Sequence, residues 1–344
     1  MTPPSSPPNT RKVRIRPEAP PAIHLDQWIW IELAKAEAGT NPNWLEAHKA
    51  VRAVHAKGKA MFPLSMSRII ETCRRKETVS RGRVVEYMAK TWGLNAVRPW
   101  HDMAPYEARN AVLQSLGLPI LDLRPHLYGK GMWYAFGGEF SLSWKEGASA
   151  EARAREGAIK SMLNGNDAFL LMKNDEVAAG LAALGVADVQ TAKGLQEARD
   201  RDYGHPDKTM RAKIAEARFM AYTMGDYLVT ALTEMVPDPK AWMNANIGYP
   251  GQPLPDPGKI RRVREAIPSM HTFWVLSDHR NRTRAVEPND IGDMDLCLAI
   301  PYSAVVATER QWCQAARQAG LDKLYGSQLV HQPEELVAAL QPFI

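Results

Sequence analysis

The chain has 344 residues, 45% of them apolar and 24% charged, with a net charge of +5. Those values fit a globular protein with room for one large domain or two smaller ones. They exclude a collagen-like or wholly disordered chain. No stretch approaches the ~18 consecutive apolar residues of a membrane span, and the N-terminus lacks an apolar leader, so a cytoplasmic protein without a membrane partner is expected. Cys73, Cys297 and Cys313 are odd in number and far apart, which predicts reduced thiols and not a disulfide framework or a zinc site. The basic balance favours a polyanionic partner only weakly.

Residues 1–21 hold seven prolines together with Arg11, Lys12, Arg14 and Arg16, the composition of a disordered arm. Ala22-Ile23-His24-Leu25 then reads as a short buried strand ending on Asp26. Trp28, Ile29, Ile31, Leu33 and Ala34 give a first helix, and Trp44, Ala47, Val51 and Val54 a second. Met61-Phe62-Pro63-Leu64 reads as a second strand. Ser65 is placed to cap a helix carrying Ile69, Ile70 and Glu71. A helix over 83–92 stops at Gly93, a third strand covers 94–97, and a helix follows over 105–116. Strand and helix alternate, which predicts a parallel sheet with crossover helices.

From about 117 to 266 that rhythm is lost. Gly131, Gly137 and Gly138 punctuate an aromatic stretch. Helices are expected over 149–163, 167–184 and 207–235, and a Pro/Gly-rich linker over 248–258. A helix over 268–284 ends in His279, Arg280, Arg282 and Arg284. Asp290, Asp293 and Asp295 fall within six positions at the acidic start of the next helix. A turn at Pro301-Tyr302 leads into a strand over 304–307, followed by Thr308 and Glu309. A helix over 311–319, a strand over 328–330 and a helix over 333–340 complete the chain.

Sites in open parallel sheets form beyond the carboxyl ends of the strands. Carboxylates crowded there repel one another unless a cation holds them. Asp26, Glu71, the Asp290/Asp293/Asp295 cluster and Glu309 all stand at a strand end or on a helix facing one. Their arrangement resembles the PIN domain, a metal-dependent nuclease fold. The resemblance lies in Ile23-His24-Leu25-Asp26, in Ser67-Arg68-Ile69-Ile70-Glu71, and above all in Asn289-Asp290-Ile291-Gly292-Asp293 with Pro301-Tyr302-Ser303-Ala304-Val305-Val306-Ala307-Thr308-Glu309-Arg310. It covers residues 22–116 and 267–344, leaving 117–266 as a mostly helical insertion.

The resemblance implies an α/β fold: a parallel-sheet, Rossmann-like three-layer PIN-like core. It implies Asp26, Glu71, Asp293 and Glu309 as catalytic acids, with Mg²⁺ or Mn²⁺ held by Asp26, Glu71 and Asp293. Asp290 and Asp295 are further ligands, and the choice of main third acid among the three aspartates stays open. Glu309 stands where the family has an aspartate. The implied activity is endoribonuclease hydrolysis of phosphodiester bonds, as in toxins of toxin–antitoxin pairs and in defence nucleases. Expected partners are RNA or single-stranded DNA, an antitoxin or other protein inhibitor, and a second copy of the chain. Thr308, Arg310, Arg68, Arg75, Arg280 and Arg282 are the expected substrate contacts, with Arg74, Lys76 and Arg284 nearby, and Gln27 orienting Asp26. The competing readings are a catalytically silent PIN-like scaffold and a nucleotide phosphohydrolase.

Each residue also has a plain reading. Asp26 caps a helix. Glu71 pairs with Arg74 or Arg75 on its own helix. The aspartates sit at a helix start because the macrodipole favours them there. Glu309 pairs with Arg310 or Arg261. The arginine runs, including Arg261, Arg262 and Arg264, are solvated faces. His24, His101, His126, His205 and His271 lack metal-ligand spacing, and Trp28, Trp30, Trp133 and Trp274 belong to the core.

Overall fold

The computed structural model describes residues 20–137, 165–183, 187–204, 207, 209–211, 225–247, 257–287 and 289–344. Nearly all of the expected arm, the helix over 149–163, the central part of the helix over 207–235 (residues 212–224) and most of the linker fall outside the described residues.

The first half contains β1 (Ile23–Leu25), α1 (Gln27–Glu37), α2 (Leu45–Lys57), α3 (Met66–Cys73), α4 (Thr78–Ala89), β2 (Asn95–Val97), α5 (Trp100–Ser115) and β3 (Tyr128–Lys130). The middle contributes α6 (Asp175–Ala183), α7 (Ala187–Tyr203), α8 (Gly225–Met235), α9 (Pro239–Asn246) and α10 (Pro257–Glu265). The last part holds α11 (Pro268–Thr283), α12 (Leu296–Tyr302), β4 (Val305–Ala307), α13 (Arg310–Gln318), β5 (Gln328–Val330) and α14 (Pro333–Leu340).

The protein is mixed α/β, with helix predominating over a small parallel sheet in the order β1-β4-β5. Ile23 pairs with Val305, and Val305 with Gln328, so every strand points the same way. Alternation divides the sheet between two layers. Ile23, Leu25, Val305 and Ala307 face a core with Ile29, Trp30 and Leu33 of α1, Val51 and Val54 of α2, and Leu336 and Leu340 of α14. Val306 and Leu329 face the opposite way, against Leu276 of α11, Leu296 and Ile300 of α12, and Trp312 and Ala316 of α13. Burial on both sides explains why the short strands are mostly apolar, with His24 of β1 and Gln328 of β5 as the polar exceptions.

The strand expected over 61–64 forms only single bridges, Ala22 to Met61 and Leu64 to Ala96. Pro63 has no amide hydrogen to donate, which interrupts the ladder there. The strand expected over 94–97 to continue the parallel sheet instead pairs antiparallel with β3, Ala96 opposite Gly129. The expected helix start at Pro105 is also displaced: α5 begins five residues earlier, at Trp100, with Pro105 inside it. Pro301 and Tyr302 finish α12 and do not form a turn outside it.

Among the described residues, helices of the middle region share cores with the flanking elements. Ala104, Ala108 and Val112 of α5 share one cluster with Leu228 and Leu232 of α8, Trp242 of α9 and Met270 of α11. Ala178 and Leu181 of α6 join the main core instead.

Candidate functional site

Parallel pairing brings the end of β1 beside the end of β4. Asp26 N donates to Ala307 O at 2.9 Å, and Thr308 N to Val330 O at 3.0 Å. Asp26 therefore lies level with Thr308 at the carboxyl edge of the sheet. Its Oδ1 accepts from Gln27 N at 2.6 Å as the cap of α1, and its Oδ2 accepts from the Thr308 hydroxyl at 2.8 Å. Gln27 thus orients Asp26 through its backbone, while its side chain donates to Thr72 at 2.9 Å.

Ser65 caps α3 by accepting from Arg68 N at 3.3 Å. That start sets the helix phase and points Arg68 and Glu71, one turn apart, toward the sheet edge. Arg68 was expected to contact substrate phosphate. Instead it is 2% exposed and lies among the carboxylates. Its Nη1 donates to Asp26 Oδ1 and, at 2.7 Å, to Glu71 Oε2; Nη2 donates to Gly292 O at 3.1 Å, and Nε is 3.6 Å from Asp295 Oδ2. A fully desolvated guanidinium is held only where such acceptors surround it. Glu71, expected to pair with Arg74 or Arg75 on its own helix, pairs with Arg68 of that helix.

Asp293 and Asp295 enter from the short helical turn before α12. Asp293 Oδ2 accepts from Trp312 Nε1 at 2.9 Å. Asp295 accepts from both Ser65 and Ser67, from the latter at 3.1 Å. Asp290 does not join them. It is 3% exposed and bound in a fork by Arg284, at 2.9 Å from Nη1 to Oδ2, with Arg280 4.0 Å away. This places Arg280, Arg284 and Asp290 in a structural ion-pair group. Arg280 is itself 4% exposed, so it presents no open phosphate contact.

Among the other expected contacts, Arg282 pairs with Asp278 at 2.8 Å. Arg75 donates to Ser80 at 2.5 Å. Glu309 and Arg310 are exposed at the start of α13, and Glu309 accepts from Gln311 at 2.6 Å. Arg264, expected on a solvated face, is buried with its guanidinium 5.3 Å from the Trp274 ring.

The electrostatics record the crowding. Burial pushes the Glu71 carboxyl up to about 8; Arg68 opposes this, while Asp26, Asp293 and Asp295 add to it. Burial and the charge of Asp26 raise Asp293, against Arg68. Asp295 is raised by burial despite Arg68 and its serine partners. Arg68 is the cation these acids share. Four carboxylates thus face one buried positive charge, and protons or a further cation must make up the difference.

Several supports of the site leave little mark in the sequence. Gly292 packs so closely that a Cβ there would lie 2.1 Å from Glu71 Oε1. A glycine between two acids in a helical segment is the available signal. Ser65 is legible as a helix cap, but its bond to Asp295, that of Ser67, and the bond of Trp312 to Asp293 carry no signal in spacing. His24 is 3% exposed, its Nε2 lacks a hydrogen-bond partner, and burial with the Arg68 charge lowers its pKa to about 3, so it is neutral. All three cysteines are free and buried.

Fold and site together define a mixed α/β protein with a partly buried acidic site at the carboxyl edge of a short parallel sheet. No family model, curated protein or solved structure matches this chain. Among the described residues, no helix is long and apolar enough to cross a membrane, and no three acids, histidines or cysteines form a ready-made metal cage.

Proposed function

We propose that this protein is a metal-dependent nuclease with a PIN-like core, hydrolysing phosphodiester bonds in RNA. The observation that carries the reading is the gathering of Asp26, Glu71, Asp293 and Asp295 around Arg68 at the carboxyl edge of β1 and β4. The donor set is oxygen-only, as Mg²⁺ and Mn²⁺ prefer. Its negative charge also exceeds that of the one guanidinium. Asp26, Glu71 and Asp293 would hold the ion, with Glu309 at the exposed rim and Asp295 more tightly tied to Ser65 and Ser67. Bound there, such an ion supplies charge neutralisation at the phosphate and a water of lowered pKa.

The chain's own groups fix that geometry. Thr308 and the Gln27 amide set the Asp26 rotamer, and the Trp312 indole sets Asp293. Arg68 keeps Glu71 and Asp26 together when no ion is bound. Arg310 is exposed beside Glu309 and open to a phosphate from solvent.

The test is cleavage of labelled RNA, single-stranded DNA and free nucleotides by purified protein with Mg²⁺ or Mn²⁺. Asp26→Asn and Asp293→Asn should each lower RNA cleavage by at least a hundredfold while leaving the fold intact. Hydrolysis confined to free nucleotides would replace the nuclease by a phosphohydrolase.

A second reading has its own observation: Arg68 already occupies the centre of the acids. On that reading the cluster is a structural ion-pair lock in a silent PIN-like scaffold. No cleavage and no metal-dependent gain in stability would favour it.

A further inference from the structure

Beside the acidic site lies a pocket of about 100 Å³ between α3, the turn joining β2 to α5, the start of β3 and α12. Glu71 and Asp295 form its acidic part, so the pocket opens directly from the carboxylate group. Arg74, one turn beyond Glu71 on α3, and Arg98, at the end of β2, contribute positive charge. Between these lie Ile70 and Leu298, with the rings of Trp100 and Tyr128. Trp100 is fixed by near-parallel stacking on Phe273, at 6.0 Å between ring centres. The Tyr128 hydroxyl donates to Tyr302 O at 3.1 Å, which fixes that ring as well.

His24 adds a further polar group to the wall, which Ser65, Ser67 and Ser303 also line. It is 3% exposed, and its Nε2 has no partner. A buried imidazole nitrogen without a hydrogen bond is costly, which makes it a candidate to be satisfied by something that enters. The pocket is far smaller than the ~300–1,000 Å³ of sites that enclose drug-sized molecules. It suits one ring-sized group.

We propose that this pocket receives the base of one unstacked nucleotide next to the phosphate being cleaved. Its ring lies against the aromatic and aliphatic wall, its polar edge meets His24 Nε2, and its own phosphate meets Arg74 and Arg98. The proposal rests on the nuclease reading and narrows it. A base inside a duplex cannot leave its stack without losing pairing, whereas a single-strand base is free to enter. The substrate is therefore single-stranded at this position, and the pocket biases which base precedes or follows the cut.

The experiment measures calorimetric binding of the four nucleoside 5′-monophosphates and of inorganic phosphate to the full chain in EDTA. It is repeated with Trp100→Ala and with Met66→Trp, which places a ring at the pocket wall. Circular dichroism checks the fold of both. The expected result is one-to-one binding of at least one nucleotide, weakened at least tenfold in both variants, with phosphate alone binding at least tenfold more weakly than that nucleotide. No nucleotide binding, equal binding of phosphate, or nucleotide binding unchanged in both folded variants would overturn the proposal. Cleavage assays on the same samples keep the two ideas apart. RNA cleavage that persists without nucleotide binding ends the pocket and leaves the nuclease. Nucleotide binding lost in both variants, with no RNA cleavage by any sample, supports the pocket and ends the nuclease.

Discussion

Arg68 donates to Glu71 Oε2 at 2.7 Å from the preceding turn of α3, and the same guanidinium nitrogen also reaches Asp26 at the end of β1. One side chain thereby joins a helix to the sheet and neutralises part of an acidic group. Replacing it leaves carboxylates buried without their counter-charge. Arg68→Met should cost about 3–5 kcal/mol at neutral pH, the range seen when one member of a buried ion pair is removed. Chemical denaturation measures this. A variant as stable as the parent would show that the acids are solvated and the pairing is incidental.

Asp293 and Asp290 sit three positions apart but do different work. Asp293 has one oxygen on the Trp312 indole and lies in the acidic group, whereas Asp290 is bound by Arg284. Saturating Mn²⁺ at about one hundred times its dissociation constant should stabilise the native protein by about 2.7 kcal/mol. Asp293→Asn should abolish that gain. Asp290→Asn should retain the gain while lowering basal stability by about 3 kcal/mol. The opposite assignment of the two phenotypes would make Asp290 the ligand.

Gly292 has a backbone conformation open to any residue, with φ −60° and ψ −39°, so alanine there meets no backbone strain. The obstacle is Glu71 Oε1, 2.1 Å from where the added carbon would stand. Gly292→Ala should displace the Glu71 carboxylate and lower metal-dependent cleavage at least tenfold. Its stability cost should be coupled to Glu71→Ala, with an interaction of at least ~0.5 kcal/mol in a double-mutant cycle. Strict additivity would mean that the glycine does not act through Glu71.

Glu107 of α5 is fully buried. It accepts from Ser269 N at 3.0 Å, from the Ser269 hydroxyl and from the Tyr302 hydroxyl at 2.5 Å. Burial raises its pKa to about 7, with the hydrogen bonds opposing the shift. The folded protein then holds this proton more tightly than the unfolded chain, whose glutamate titrates near ~4.3. Stability should therefore fall as pH rises from about 4.3 to about 7, by up to ~1.4 kcal/mol per pH unit from this group, and level off above that. Glu107→Gln should flatten this part of the profile. Denaturation midpoints at pH 5, 6, 7 and 8 supply the comparison, and a variant profile with the parent's slope would remove Glu107 as the cause.

Part of this architecture is written locally. The short runs at Ile23–Leu25, apolar apart from His24, and at Val305–Ala307 are legible as buried strands, because burial on both faces favours near-continuous hydrophobicity. Ser65 is legible as a helix cap and sets the phase of Arg68 and Glu71. Asp26 is legible as a carboxylate at a strand end.

Pairing partners and charge partners depend on distant segments. The segment Asn95–Val97 carries nothing to say that it meets Tyr128–Lys130 antiparallel. Pattern fixes which residues turn inward, and hydrogen-bond geometry accepts either direction. Nor does Arg68 differ in sequence from an arginine bound for solvent. Its burial follows from β4 lying beside β1 and from the turn before α12 closing over α3, which brings Asp26, Glu71 and Asp295 within its reach. Sequence alone determined a helix-rich α/β chain with acids near its strand ends. Tertiary structure decided which acids share a cation and which are locked away with Arg284, because electrostatic partnership depends on distance through space.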